Sequence, residues 1–435
     1  MMIENLYKIF QQHPTIVTDS RRIKEGCLFF ALKGETFDGN AFAEKALADG
    51  AAYAIIDNPD FKKNDRFIVV EDVLKALQRL ATHHRRQFDF PVIGIAGSNG
   101  KTTTKELVSA VMSLQYNAHF TKGNLNNHIG VPLTLLELTG EHEVAIVEMG
   151  ANHQEELWEL CEIAEPTHGL ITNIGKEHLE GFGGLEGVKK GESEIYQWLS
   201  KHNGTVFVNE DEEFLKELLP QEGLHIVNYH RHHEPSLENP AYETTLESAE
   251  PYLKVGFLNS KGEMLHAQSQ LIGEYNFGNL STAITLGKYF KVPTLKIKEA
   301  IENYTPSMNR SQVLTLKNGT TVILDAYNAN PTSMQHALLS LAKMPQKNKI
   351  AIIGDMFELG EYSESEHRET LEMAKSLNFK ALVTVGKQFF DVNTEGGKFE
   401  KTEEAKAWFQ KKRFGKATCI LIKASRGMHL ETLLK

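Results

Sequence analysis

Apolar residues fall in short blocks separated by polar stretches with helical spacing, the rhythm of an α/β chain. Runs at 27–32, 53–56 and 67–70 read as strands and 40–50 as a helix, so residues 1–88 predict a small α/β unit. Residues 72–88 continue as a helix, and Pro91 then marks a boundary. From Val92 onward, wholly apolar strands recur at 92–96, 144–149, 169–172 and 205–208, with helical patterns between them. Strands without polar alternation are buried on both faces, which predicts a parallel sheet flanked by helices. Ligands of such a sheet bind at the C-terminal strand ends. A third series follows Thr305-Pro306, with strands at 321–324, 349–354, 381–386 and 418–423 and helices at 333–343 and 366–377. The expected fold is α/β with three domains, at 1–88, 89–305 and 306–435. The polar stretch 230–250 reads as a loop-rich insertion.

Composition narrows the class. A chain of 435 residues is too long for one core. No apolar run reaches the roughly 20 residues needed to cross a bilayer, so no membrane span is expected. The start Met1-Met2-Ile3-Glu4 lacks a basic leader before an apolar core, so a cytoplasmic location is expected. A formal net charge of −10 argues against nucleic acid as a partner. Cys27, Cys161 and Cys419 have no paired spacing and read as buried free thiols. His230-Arg231-His232-His233 has metal-ligand residue types, but its polar setting favours a solvated stretch.

The chemistry begins where the strand 92–96 runs into Gly97-Ser98-Asn99-Gly100-Lys101-Thr102-Thr103, followed by Leu107, Val108, Val111 and Leu114 at helical spacing. Glycines let backbone N–H groups curl around phosphate oxygens, and the helix start adds partial positive charge. Lys101 can bridge phosphates, and Thr102 can ligate magnesium. Ile95 stands where the strict phosphate-loop pattern has its first glycine, which disfavours ordinary GTPases and motor ATPases. Glu148 ends an apolar strand at the same sheet edge and is a hard-oxygen ligand candidate. His178, in Asn173-Ile174-Gly175-Lys176-Glu177-His178, follows the next strand and is a candidate metal or phosphate ligand.

These motifs resemble the Mur ligase family over essentially the whole chain. The resemblance implies a UDP-binding N-terminal domain, a central phosphate-loop mononucleotide-binding domain and a Rossmann-like C-terminal domain. It implies an ATP-dependent amide ligase that joins D-alanyl-D-alanine to UDP-N-acetylmuramoyl tripeptide through an acyl phosphate, giving the pentapeptide for peptidoglycan. ATP and two Mg2+ ions are the implied cofactors, and a monomer is implied. Ser20, Arg21, Thr36 and Asp38 lie in stretches similar to the UDP-sugar site, and Asn124, Asn126 and Asn127 in the loop that meets the acceptor. Asn276 and Asn279 resemble the adenine segment, and Met308-Asn309-Arg310 the hinge whose arginine meets phosphates. Asp325, Tyr327 and Asn330 belong to a stretch characteristic of the dipeptide-adding member, as does 354–360. Ser425 and Arg426 resemble the loop near the incoming amine.

One departure stands out. The family places a carbamylated lysine four residues before an aromatic, and counting back from Tyr196 reaches Glu192. Glutamate carries the same anionic oxygens without modification, so Glu192 is a candidate metal ligand beside Thr102, Glu148 and His178. Carbamylation of Lys189 or Lys190 instead is the alternative. Lys101, Glu148, His178, Glu192 and Arg310 form the expected catalytic set. Other readings are a sibling amide ligase adding diaminopimelate or lysine, a folylpolyglutamate synthetase, a non-catalytic nucleotide-binding protein, and a phosphate-loop kinase.

Overall fold

The computed structural model describes residues 2–232, 242–306, 309–394 and 396–435. His233 of the histidine run and Met308 of the hinge lie outside the described residues. Three sheets organise the chain. The first is parallel, in the order Ile16–Val17, Leu28–Phe30, Tyr53–Ile56 and Phe67–Val69. Its faces bury Leu28, Phe30 and Ile55 on one side and Cys27, Phe29 and Ala54 on the other, as strand alternation requires.

Helix Val73–Arg85 ties this unit to the next. It packs on helix Ile3–Gln12 and on helices Gly130–Leu135 and Glu156–Ala164 of the central unit. Buried His84 donates to or accepts from Tyr7 Oη at 3.1 Å and lies 2.9 Å from the Leu138 carbonyl. Arg85 donates to the carbonyls of Phe88 at 2.6 Å and Ala164 at 3.2 Å. The helix is thus a shared wall rather than a spacer.

The central sheet has nine strands among the described residues. Strand Val92–Ala96 sits between Val144–Glu148 and His168–Ile171, all parallel. The chain leaves it toward one edge and returns on its other side, so its C-terminal end is the topological switch point where a cleft opens. Beyond Thr205–Asn209 the sheet continues through His225–His232 and Glu243–Ser248 into the antiparallel strands Lys254–Leu258 and Met264–Gln268. Strands therefore occupy much of the stretch expected to be a loop-rich insertion. Their residues are mostly polar and read as loop, although Glu243 and Thr244 are buried and only Glu247 of that strand is exposed.

The C-terminal sheet has the order Gln312–Thr315, Thr321–Asp325, Thr418–Lys423, Asn348–Gly354, Ala381–Val385, Lys398–Phe399, parallel except for the first pair. The three cysteines are buried free thiols. No described helix is long and apolar enough to cross a membrane.

Candidate active site at the phosphate loop

Strand Val92–Ala96 is buried throughout and ends in a loop that only glycine can complete. Gly97 has φ +113°, and a Cβ there would collide with the backbone N of Thr172. Gly100, at φ +83°, starts helix Lys101–Ser113 and abuts Asn279. The segment after the neighbouring strand braces the loop. Ser98 N donates to the Asn173 carbonyl at 2.9 Å and Asn99 N to Asn173 Oδ1 at 3.0 Å, while Gly175 N donates to Ser98 Oγ at 2.8 Å. Sequence reasoning passed over Asn173 as a functional position, because its role shows only once the two strands lie side by side.

Three buried glutamates converge here. Glu192, fully buried in helix Leu185–Glu192, accepts the Gly97 N–H at 2.6 Å through Oε2. Glu148, 1 % exposed, accepts from Thr102 Oγ1 at 2.9 Å and Asn126 Nδ2 at 2.8 Å through one oxygen. Glu177, 4 % exposed, lies 3.3 Å from Lys101 Nζ. Each keeps one carboxylate oxygen buried without a partner: Glu148 Oε2, Glu177 Oε1 and Glu192 Oε1. Lys101 also donates to the Gly97 carbonyl, so its ammonium is folded back over its own loop.

Burial disfavours the Lys101 ammonium, but the Glu177, Glu192 and Glu148 carboxylates outweigh it and hold its pKa above the usual lysine value. Burial drives Glu177 well above the usual carboxylate range; Lys101 opposes that rise and Glu192 adds to it. Three buried carboxyl groups beside one lysine are oxygen donors of the kind a hard cation takes, and each has an orphaned oxygen to offer, although no three acidic or histidine side chains among the described residues stand close enough to form a metal cluster by themselves. Glu177 is a site residue the motif reading quoted without assigning a role.

The other candidates divide clearly. Asn279 reaches the loop: its Oδ1 accepts from Thr104 Oγ1 at 2.9 Å and its Nδ2 donates to Asn276 Oδ1 at 2.8 Å. Thr103 is half-buried at the start of the same helix. Asn330 Nδ2 donates to Asn99 Oδ1 at 2.9 Å, joining the C-terminal domain to the phosphate loop. Arg310 stacks on the Tyr327 ring at 3.8 Å, Arg426 approaches the same ring at 5.6 Å, and Arg310 Nε is buried without a partner. Asp325 is occupied: Oδ2 pairs with Lys423 Nζ at 2.6 Å and Oδ1 accepts from Ser311 N at 3.0 Å.

Ser425 is 2 % exposed, accepts from Phe357 N at 2.9 Å and donates to the Ala329 carbonyl at 3.3 Å, so it staples two loops together instead of facing open space. His178 is displaced from the carboxylate cluster's contacts: its Nδ1 lies 2.6 Å from Glu358 Oε2 of the C-terminal domain. Asn127 Oδ1 caps Gly130 N at 2.9 Å, and Asn124 is exposed. Ser20 opens a short turn capped by Asp19, and Arg21 is held by Asp19 at 2.9 Å with its side chain 87 % exposed. Thr36 lies at the tip of the hairpin formed by Lys33–Gly34 and Phe37–Asp38, and Asp38 Oδ1 accepts from Asn40 N at 2.9 Å. These four are therefore some distance in the chain and in the fold from the phosphate loop, on the N-terminal unit. His230 pairs with Glu210 at 3.3 Å.

A phosphate loop at a sheet switch point, walled by unpaired carboxylates and touched by a second α/β domain, defines a nucleotide-dependent enzyme of several domains. The chain belongs to the Mur ligase family. It matches the models of the Mur ligase middle domain over 95–287, the glutamate ligase domain over 309–426 and the family's catalytic domain over 15–85. It is 32% identical over 432 residues to the UDP-N-acetylmuramoyl-tripeptide–D-alanyl-D-alanine ligase of Bacillus subtilis, covering 97% of this chain and 92% of that one. The enzyme of the same name from Escherichia coli is 32% identical over 427 residues, with the same coverage. Among solved structures, MurF from Acinetobacter baumannii matches with a TM-score of 0.84 at 31% identity, over 97% of this chain and 92% of that one. MurF ligase from Thermotoga maritima, in complex with ADP, matches with a TM-score of 0.81 at 25% identity, over 97% and 96%.

Proposed function

We propose that this chain is an ATP-dependent ligase that joins D-alanyl-D-alanine to UDP-N-acetylmuramoyl tripeptide, giving the pentapeptide precursor of peptidoglycan. The observation that carries the reading is Lys101 at the switch point, in contact with Glu177 and held charged also by Glu192 and Glu148, within a chain similar along 97% of its length to ligases of that name. Amide formation in water needs a better leaving group than hydroxide. The terminal carboxylate of the tripeptide attacks the γ-phosphoryl group of ATP and displaces ADP, forming an acyl phosphate. The dipeptide amine then attacks the acyl carbon, and inorganic phosphate leaves.

The protein's part is positioning and charge neutralisation. Lys101 turns from the Gly97 carbonyl to the phosphates, and the N–H groups of 97–103 cradle them. Arg310, with an unpaired Nε, supplies a further cation at the hinge. Asn276 and Asn279 back the loop on the adenine side, and Tyr327, Asn330 and Asp325 line the C-terminal wall. Thr102, Glu148, Glu192 and His178 would hold two Mg2+ ions, whose charge would screen phosphate from carboxylate. Glu192 serves directly, in place of a carbamylated lysine. Ser20, Arg21, Thr36 and Asp38 take the UDP end, with Asn124, Asn126, Asn127 and Arg426 toward the acceptor and dipeptide. Domain borders near 88 and 305, a monomer and a cytoplasmic site of action belong to the same reading.

Mass spectrometry of a reaction with ATP, Mg2+, tripeptide and dipeptide tests the function: the pentapeptide mass is expected, and a product with another amine would reassign the acceptor. Mass spectrometry of the native protein tests the metal shell: an unmodified chain is expected, and a carbamate on Lys189 or Lys190 would remove Glu192 from its role.

A further inference from the structure

We infer that Glu358, carried by the C-terminal domain, is a positioning residue for His178 of the central domain. Its Oε2 lies 2.6 Å from His178 Nδ1, across the boundary between the two domains. The backbones meet at the same place, where Glu180 N donates to the Glu358 carbonyl at 3.3 Å. Gly360 passes so close that a Cβ on it would lie 3.0 Å from the Glu180 side chain. Both partners are in the left-handed region, His178 at φ +43° and Glu358 at φ +64°. A side chain held there is strained and persists where its surroundings fix it.

The loop bearing Glu358 is fixed by its own domain. Phe357 N donates to Ser425 Oγ at 2.9 Å, and Met356 N donates to His367 Nε2 at 3.0 Å. Glu358 therefore arrives with the domain as a rigid unit. A carboxylate 2.6 Å from Nδ1 fixes the plane of the ring and turns Nε2 to the far side. His178 is next in the chain to Glu177, which holds Lys101. Docking of the C-terminal domain thus sets the direction of the imidazole at the edge of the carboxylate cluster. The second domain completes a ligand of the first, which makes an undocked enzyme a poor ATPase.

The inference rests on the ligase reading in placing His178 toward metal and phosphate, and its test has an arm that does not need turnover. Mn2+ binding to the ADP-loaded full chain, followed by electron paramagnetic resonance, is measured together with kcat and KM for Glu358→Ala and Glu358→Gln. The Ala variant is expected to weaken Mn2+ binding and lower kcat by about 10- to 100-fold, leaving KM for dipeptide within about threefold. The carboxamide oxygen of Gln still accepts from Nδ1–H, so that variant is expected to recover most of both. In a His178→Ala background, Glu358→Ala is expected to add nothing. Unchanged Mn2+ affinity in Glu358→Ala, a Gln variant as weak as Ala, or an undiminished effect without His178 would each overturn the inference. Wild-type protein that binds Mn2+ with ADP yet makes no pentapeptide would overturn the ligase reading alone.

Discussion

The carboxylates of the phosphate-loop site and two aspartates of the C-terminal domain, half-buried Asp325 and buried Asp355, are treated oppositely. Asp325 has a partner on each oxygen, Lys423 and Ser311 N, and Asp355 accepts from Gln388 N and Phe389 N at 3.0 Å each. Glu148, Glu177 and Glu192 each leave one oxygen bare. A buried charge with all its hydrogen bonds made holds a fold together. One with bonds missing destabilises the fold and marks where a ligand's charge belongs. The contrast separates these two aspartates from the three glutamates of the site without any appeal to relatives.

Substitutions sharpen this contrast, beginning with the largest effect. Lys101→Ala is expected to abolish phosphate release, by about 10³-fold or more. Glu192→Gln keeps an oxygen for the Gly97 N–H but removes the anion. Activity is expected to fall about 10²-fold with a thermal midpoint unchanged or higher, and full activity would break the comparison. Asp325→Ala is expected to act in reverse: it strands Lys423, only 2 % exposed, and should cost about 3–5 kcal/mol in denaturant unfolding. Ser425→Ala removes the acceptor of Phe357 N and should cost about 1–2 kcal/mol by the same measurement.

One further effect concerns pH. Burial holds His168 down to about 4, whereas the unfolded chain protonates it near its ordinary value of about 6.5. Its contribution is therefore complete above about 6.5 and lost as pH falls toward 4, by about 3 kcal/mol. His168→Phe should flatten that acidic limb of the unfolding midpoint.

Much of the central architecture was legible in the sequence because strands buried on both faces leave uninterrupted apolar runs. The phosphate loop was legible because strand, glycines and lysine are contiguous. Helix Phe277–Tyr289 was hidden for the opposite reason: ten of its residues, Phe277 and Asn279 to Gly287, are buried nearly all round, so no amphipathic stripe marks it. Strands His225–His232 and Glu243–Ser248 were masked by their polar residues, some of them buried, such as Glu243 and Thr244. Pairs such as Asn99 with Asn330 and His178 with Glu358 are long-range products of domain packing, and no local spacing encodes them. Glu192 was found by counting from Tyr196, but its bond to Gly97 needed the fold.

The most direct test of the central claim is phosphate release from ATP with Mg2+ and UDP-N-acetylmuramoyl tripeptide, with D-alanyl-D-alanine supplied or withheld. The expected result is rapid release only when the dipeptide is present, one phosphate for each amide formed. Equal release with and without the dipeptide, or none from folded protein that still binds ADP, would contradict it.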